Sequence, residues 1–182
     1  MTNDEQNDLV NEAQNPEEKH MLQQVKTAAS RRYLVCVDGR EECKVALRLA
    51  CMKAISKTGQ ITLLHVVPPV DFQTLGSVSD HMRTERLQEG QELLSKMSKE
   101  AQDNFGINPT LLLLEGSAGD KIVETAMNDP NIIILVIGIT HSQQSGKGKL
   151  SAWLASQLGD NLLIPILMVP GNLTDQQLST LV

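Results

Sequence analysis

Five short apolar runs alternate with amphipathic stretches along this chain, and that alternation leaves few folds open to it. The runs are YLVCVD (33–38), ITLLHVV (61–67), TLLLLE (110–115), IIILVIG (132–138) and PILMV (165–169). Each falls far short of the roughly 18–20 apolar residues that span a bilayer. Strands apolar on both faces belong inside a parallel sheet that helices cover on both sides.

The intervening stretches carry a helical period. Residues 41–57 set Val45, Leu49 and Met52 on one face, with Ala46, Ala50 and Ala54 beside it. Pro68 and Pro69 open a loop through about residue 79, and Gly90, Leu93, Leu94, Met97 and Ala101 mark a long helix to about 104. A short helix over 119–128 gathers Ile122, Val123 and Ala126, and Leu150, Trp153, Leu154 and Leu158 mark a fourth. The sum is β-α-β-α-β-α-β-α-β. This predicts an α/β fold with a five-stranded parallel, doubly wound sheet, and right-handed crossovers limit it to a few strand orders, 3-2-1-4-5 among them. Ligands of such sheets bind outside the carboxyl ends of the strands, where the order reverses. For the order 3-2-1-4-5, the loops after Asp38 and after Gly138 would face each other across one crevice.

Charge separates the start of the chain from its body. Residues 1–18 hold six acids and no base; taking these from the 22 acids leaves 16 against 16 Lys and Arg. Residues 1–30 read as an acidic, polar, mobile extension, residues 31–170 as the α/β domain and 171–182 as a C-terminal tail. A neutral body offers no electrostatic footprint for nucleic acid or membrane. With Tyr33, Phe72, Phe105 and Trp153 as its only aromatics, the chain also lacks base-stacking platforms. The acidic start has no apolar signal region, so the expected location is the cytoplasm. Cys36, Cys43 and Cys51 match no zinc spacing and read as buried thiols.

Phosphate motifs fail position by position. The turn Asp38-Gly39-Arg40 lacks G-x-G-x-x-G. For Gly146-Lys147 to close a P-loop, positions 141 and 148 would be Gly and Ser or Thr, but they are His141 and Gly148. Ser142, Ser145 and Ser151 have no nucleophile elbow, and His65, inside an apolar run, reads as a hydrogen-bonded core residue. Asp38 either accepts a ribose hydroxyl or satisfies amides entering the first helix. Lys147 and Lys149 either meet an anion or face solvent.

The ordered set YLVCVDG, ALRLA, ITLLHVV, EGSAGDKIVETA, IIILVIG and PILMVP resembles a universal stress protein domain over about residues 31–170. The resemblance implies the strand order 3-2-1-4-5 and a cytoplasmic binding or regulatory module of stress response, without turnover, that binds ATP or AMP weakly. The alternatives are a weak nucleotide hydrolase and a nucleotide-free interaction protein. Of the family's G-x-x-G, nine residues, G-[ST] motif, Gly138 matches the first glycine, the second falls on His141, and the closing pair falls on Ala152-Trp153. Asp38 matches the family's acid after the first strand, and Val66 the backbone that meets adenine. Gly39 and His141 stand at the same implied nucleotide site, and Gly146, Gly148 and Ser151, with Lys147 or Lys149, offer a substitute nest for the phosphates in place of the family's glycines. Family members commonly dimerise through the last strand, here Ile166, Leu167, Met168 and Val169; any further protein partner is unidentified. No metal is implied.

Overall fold

The computed structural model describes residues 31–69, 76–140, 149–157 and 160–182. The extension expected over 1–30 and Leu158 lie outside the described residues. The elements are β1 (Arg32–Cys36), α1 (Glu41–Ser56), β2 (Gln60–Val67), α2 (Gly76–Phe105), β3 (Thr110–Glu115), α3 (Ala118–Asn128), β4 (Ile132–Ile139), α4 (Lys149–Ser156), β5 (Ile166–Pro170) and α5 (Asp175–Ser179). The five strands form one sheet in the order β3-β2-β1-β4-β5, and every neighbouring pair is parallel. The fold class is the one read from the apolar runs, and the strand order is the one the resemblance implies.

Successive side chains of a strand point to opposite faces, so β1 feeds two cores. Val35 joins Ala46, Ala50, Leu63, Leu94 and Met97 on the face covered by α1 and α2. Leu34 joins Leu64, Ile122, Leu135 and Leu154 on the face covered by α3 and α4. Each fully buried Leu contributes roughly 1.5–3 kcal/mol relative to exposure.

Helix α1 lies close to the sheet because its buried stripe is small. Cys43, Ala46, Leu47, Ala50, Cys51 and Ala54 are buried, and Leu49 flanks them. Val45 and Met52, expected on that face, are only half-buried and pack against the edge of this core. The closest approach is at Gly138 on β4. A Cβ there would stand 2.4 Å from the Glu42 carbonyl oxygen and 2.9 Å from the Cys43 nitrogen, a clash that only glycine avoids.

Residues 171–182, read as a tail, carry α5. Thr174 and Gln177 form its capping box, with the Gln177 amide donating to Thr174 Oγ1 at 3.3 Å and the Thr174 amide to Gln177 Oε1 at 2.9 Å. Leu178 is fully buried in the core on the α1 face, and Arg48 of α1 reaches both Glu100 and Asp175 at 3.3 Å. β5 pairs with β4 on one side, and no strand covers its other edge among the described residues. Among these residues no helix is long and apolar enough to cross a membrane.

Candidate functional site

The site grows out of the turn between β1 and α1. Val37 continues the ladder by donating to the Leu64 carbonyl at 2.9 Å, while its own carbonyl lies 2.7 Å from His65 Nδ1. That contact supplies the hydrogen bond expected of His65, but the ring, read as a core residue, is half-buried and lines the cavity. Gly39 then turns the chain with φ of +81°, a conformation side chains rarely adopt.

This turn folds Arg40 back onto Asp38. The Arg40 amide donates to Asp38 Oδ1 at 3.2 Å, and Arg40 Nε donates to Oδ2 at 2.6 Å. Arg40 Nη2 completes an ion pair with Oδ2. The Cys43 thiol donates to Oδ1 at 2.7 Å and accepts from the Asp38 amide at 3.3 Å. Asp38 thus satisfies an amide entering α1, one of the two roles open from sequence. Burial pushes the Asp38 carboxyl up, but Arg40 and Cys43 outweigh it and hold the group below the ordinary carboxylate value. Burial, reinforced by donation to Asp38, pushes the Cys43 thiol up to about 12. Cys36 is likewise pushed well above the ordinary thiol value by burial.

The facing wall is the end of β4, from Ile137 to Thr140, with Ala118 and Ile122 of α3 and Leu150 and Ser151 of α4 closing round it. Thr140 hydrogen-bonds Glu42; together with Glu42's own backbone amide, it holds that carboxyl below its ordinary value. Leu64, His65 and Val66 supply the β2 side. The space between is a cavity of about 220 Å³, somewhat below the roughly 300–1,000 Å³ of pockets that hold drug-sized ligands.

Asp38, Val66, Gly138 and Ser151, all singled out from sequence, line this one cavity. Gly39 shapes the turn without lining it. His141, Gly146 and Gly148 lie outside the described residues. Ile166, Leu167, Met168 and Val169 form β5, one strand beyond β4. Sequence reasoning missed Arg40, Cys43 and Thr140. The available signal was local: an arginine two residues after an acid across a glycine, and a cysteine on the buried side of the first turn of α1. Trp153, matched to the family's anion-binding pair, does not line the cavity. Its ring lies against α3, where a Cβ on Gly119 would stand 2.4 Å from it.

This arrangement suits a ligand that is part apolar and part anionic. Leu64, Val66, Ile122 and Ile137 offer an apolar bed. The amino termini of α1, α3 and α4 open at the same end of the sheet and favour negative charge. Among the described residues no three His, Cys, Asp or Glu side chains converge as metal ligands.

Residues 29–170 match a family model described as the universal stress protein family. Several solved structures share the fold. The universal stress protein UspA from Lactobacillus plantarum is 17% identical over 77% of this chain and 97% of its own, with a TM-score of 0.65. A universal stress protein from Archaeoglobus fulgidus, in complex with dAMP, is 19% identical over 76% of this chain and 97% of its own, with a TM-score of 0.58. A universal stress protein family protein from Arabidopsis thaliana, with AMP bound, is 20% identical over 77% of this chain and 91% of its own, with a TM-score of 0.55. No curated protein sequence matches the chain.

Proposed function

This chain belongs to the universal stress protein family, and from that premise we propose that it is a stress-response module that binds an adenine nucleotide between β1 and β4 without turning it over. The observation that carries the reading is the shared cavity at the point where strand order reverses, lined by Asp38, Val66, Gly138 and Ser151 together. In this reading the base lies on the apolar bed, with the Val66 backbone meeting its edge. Asp38 faces the ribose, and the phosphates of ATP or AMP run toward Ser151 at the amino terminus of α4. Gly39 supports the turn behind Asp38, and His141, Gly146 and Gly148 complete the phosphate side. Two proteins of similar fold hold dAMP and AMP.

Binding without hydrolysis follows from the commitment of Asp38. Its carboxylate already accepts from Arg40 and Cys43, so it is poorly placed to activate water. Pairing of two β5 edges through Ile166 to Val169 would make a homodimer and cover an otherwise open edge. The module acts in the cytoplasm, through a protein partner of its own.

The decisive experiment purifies the protein without added nucleotide, denatures it, and assays the supernatant for adenine nucleotide, followed by calorimetric titration with AMP and ATP. Released nucleotide or a saturable heat is expected. No release and no heat at millimolar ligand would remove the proposal. Sedimentation should give twice the 20.0 kDa chain mass; a monomer at all concentrations would rule out the β5 dimer.

A further inference from the structure

The clasp of Arg40 on Asp38 bears on which nucleotide the cavity accepts, an inference that rests on the nucleotide reading above. A carboxylate offers about four lone-pair sites. The chain itself fills them, with the Arg40 amide, Arg40 Nε, Arg40 Nη2 and the Cys43 thiol. A ribose diol donating to Asp38 would have to evict two of these donors. Eviction of the guanidinium would leave a cation unpaired at the mouth of the cavity. Among the described residues that line the cavity, Arg40 is the only Lys or Arg.

Charge conservation gives the resolution. A ligand whose ribose carries a phosphate need not break the pair, because a guanidinium has five N–H donors in a planar fork and can bridge a carboxylate and a phosphate. Dinucleotide folds use the same logic, where an arginine accommodates the ribose 2′-phosphate at the position of an acid that otherwise binds the diol. Here acid and arginine stand two residues apart on one turn, each side chain about 40% exposed, at 42% and 39%.

We propose that Arg40 is a specificity-determining residue that favours adenine nucleotides with a phosphorylated ribose over those with a free 2′,3′-diol. The guanidinium stays on Asp38 through Nε and takes the ribose phosphate on its remaining donors. Cys43 keeps Asp38 oriented from the other side.

Calorimetry with three probes tests this: AMP, adenosine 2′,5′-bisphosphate and adenosine 3′,5′-bisphosphate. The unaltered protein should bind at least one bisphosphate ten times or more tighter than AMP. Arg40→Ala should abolish that ratio and bind AMP as well as or better than the parent. Arg40→Lys, which keeps the charge and loses the fork, should keep only part of the preference. Circular dichroism and thermal unfolding of each variant check the fold. Equal affinities for all three probes, or a preference that survives Arg40→Ala, would overturn the inference and leave the nucleotide reading standing. Failure of every probe to bind would overturn both.

Discussion

Two Arg–Asp pairs bracket β1, and their difference separates what holds this fold from what equips its site. At the amino end, Arg32 Nη1 meets Asp129 Oδ2 at 2.7 Å across 97 residues of sequence. Asp129 also accepts from the Asn131 amide at 2.9 Å, and the Arg32 amide donates to the Asn131 carbonyl at 2.7 Å. This pair staples the start of β1 to the start of β4, and neither residue lines the cavity. At the carboxyl end, Asp38 and Arg40 pair across two residues, and both line it. The first pair restrains the chain over a long loop; the second shapes one turn. Identical chemistry therefore ties two strands together at one end and borders the cavity at the other.

The largest effect expected at the carboxyl end comes from its backbone, not its charges. Gly138→Ala would force a Cβ into the Glu42 carbonyl and push α1 off β4. We expect a loss of roughly 2–3 kcal/mol, or about 4–12 °C in Tm for a chain of this size. Nucleotide binding would weaken with it. A variant that melts like the parent would mean that α1 can shift freely here, and that the site is not fixed by packing.

Next come the two acids. Asp129→Ala should cost about 1 kcal/mol, from the lost hydrogen bonds of a partly exposed pair, and change the AMP dissociation constant by less than about twofold. Asp38→Ala should do the reverse, releasing Arg40 and lowering the preference for a ribose bisphosphate over AMP about tenfold, equivalent to 1.4 kcal/mol, with a smaller change in stability. Chemical denaturation and calorimetry on both variants read the contrast. Equal effects on both measurements would collapse the distinction between the pairs.

Acid titration sharpens the same contrast by a smaller amount. Burial pushes the Asp129 carboxyl up, but the bonds from Asn131 and Arg32 outweigh it and hold the group below the ordinary 3.8. A carboxyl depressed on folding stabilises fully above its unfolded value of about 3.9. That stability is lost as pH falls through the lower folded value. Asp129→Asn should therefore flatten the fall in stability below about pH 4. Asp38→Asn should flatten it less, because a pair two residues apart can persist in the unfolded chain. A steeper curve for either variant would contradict the direction of its shift.

Much of the fold was legible because it depends on local pattern. The run TLLLLE marks β3 at both ends, and the alternation of apolar runs with helical stretches led to the parallel sheet, while the resemblance selected its strand order. The strand expected over 33–38 spans 32–36, although Val37 still donates to the Leu64 carbonyl before Gly39 turns the chain. The α5 helix was missed although Thr174 and Gln177 stand at capping-box spacing, since a polar run carries almost no period. At the site, Asp38, Val66, Gly138 and Ser151 could be found from topology and resemblance. Arg40 was missed because its two-residue spacing from Asp38 becomes a pair only through the positive φ of Gly39, which folds the arginine back. Trp153 misled for a related reason: counting along the motif says nothing about which way a ring on α4 turns, and it turns toward Gly119.

The smallest expected effect lies in the thiol that distinguishes the Asp38 pair from its counterpart. Cys43 and Cys51 are both pushed up to about 12, chiefly by burial, but Cys43 also donates to Asp38. The thiolate is the reactive form, so both should resist iodoacetamide at pH 8 in the folded protein and react fully once unfolded. Asp38→Asn removes the negative charge that disfavours a thiolate on Cys43, and should speed its labelling a few-fold while leaving Cys51 unchanged. Peptide mass mapping of the labelled protein reads each site separately. If both cysteines respond alike, the variant has loosened the whole of α1. If only Cys43 responds, the thiol, carboxylate and guanidinium act as one local unit at the mouth of the cavity, which the amino-end pair, with no thiol beside it, has no means to form.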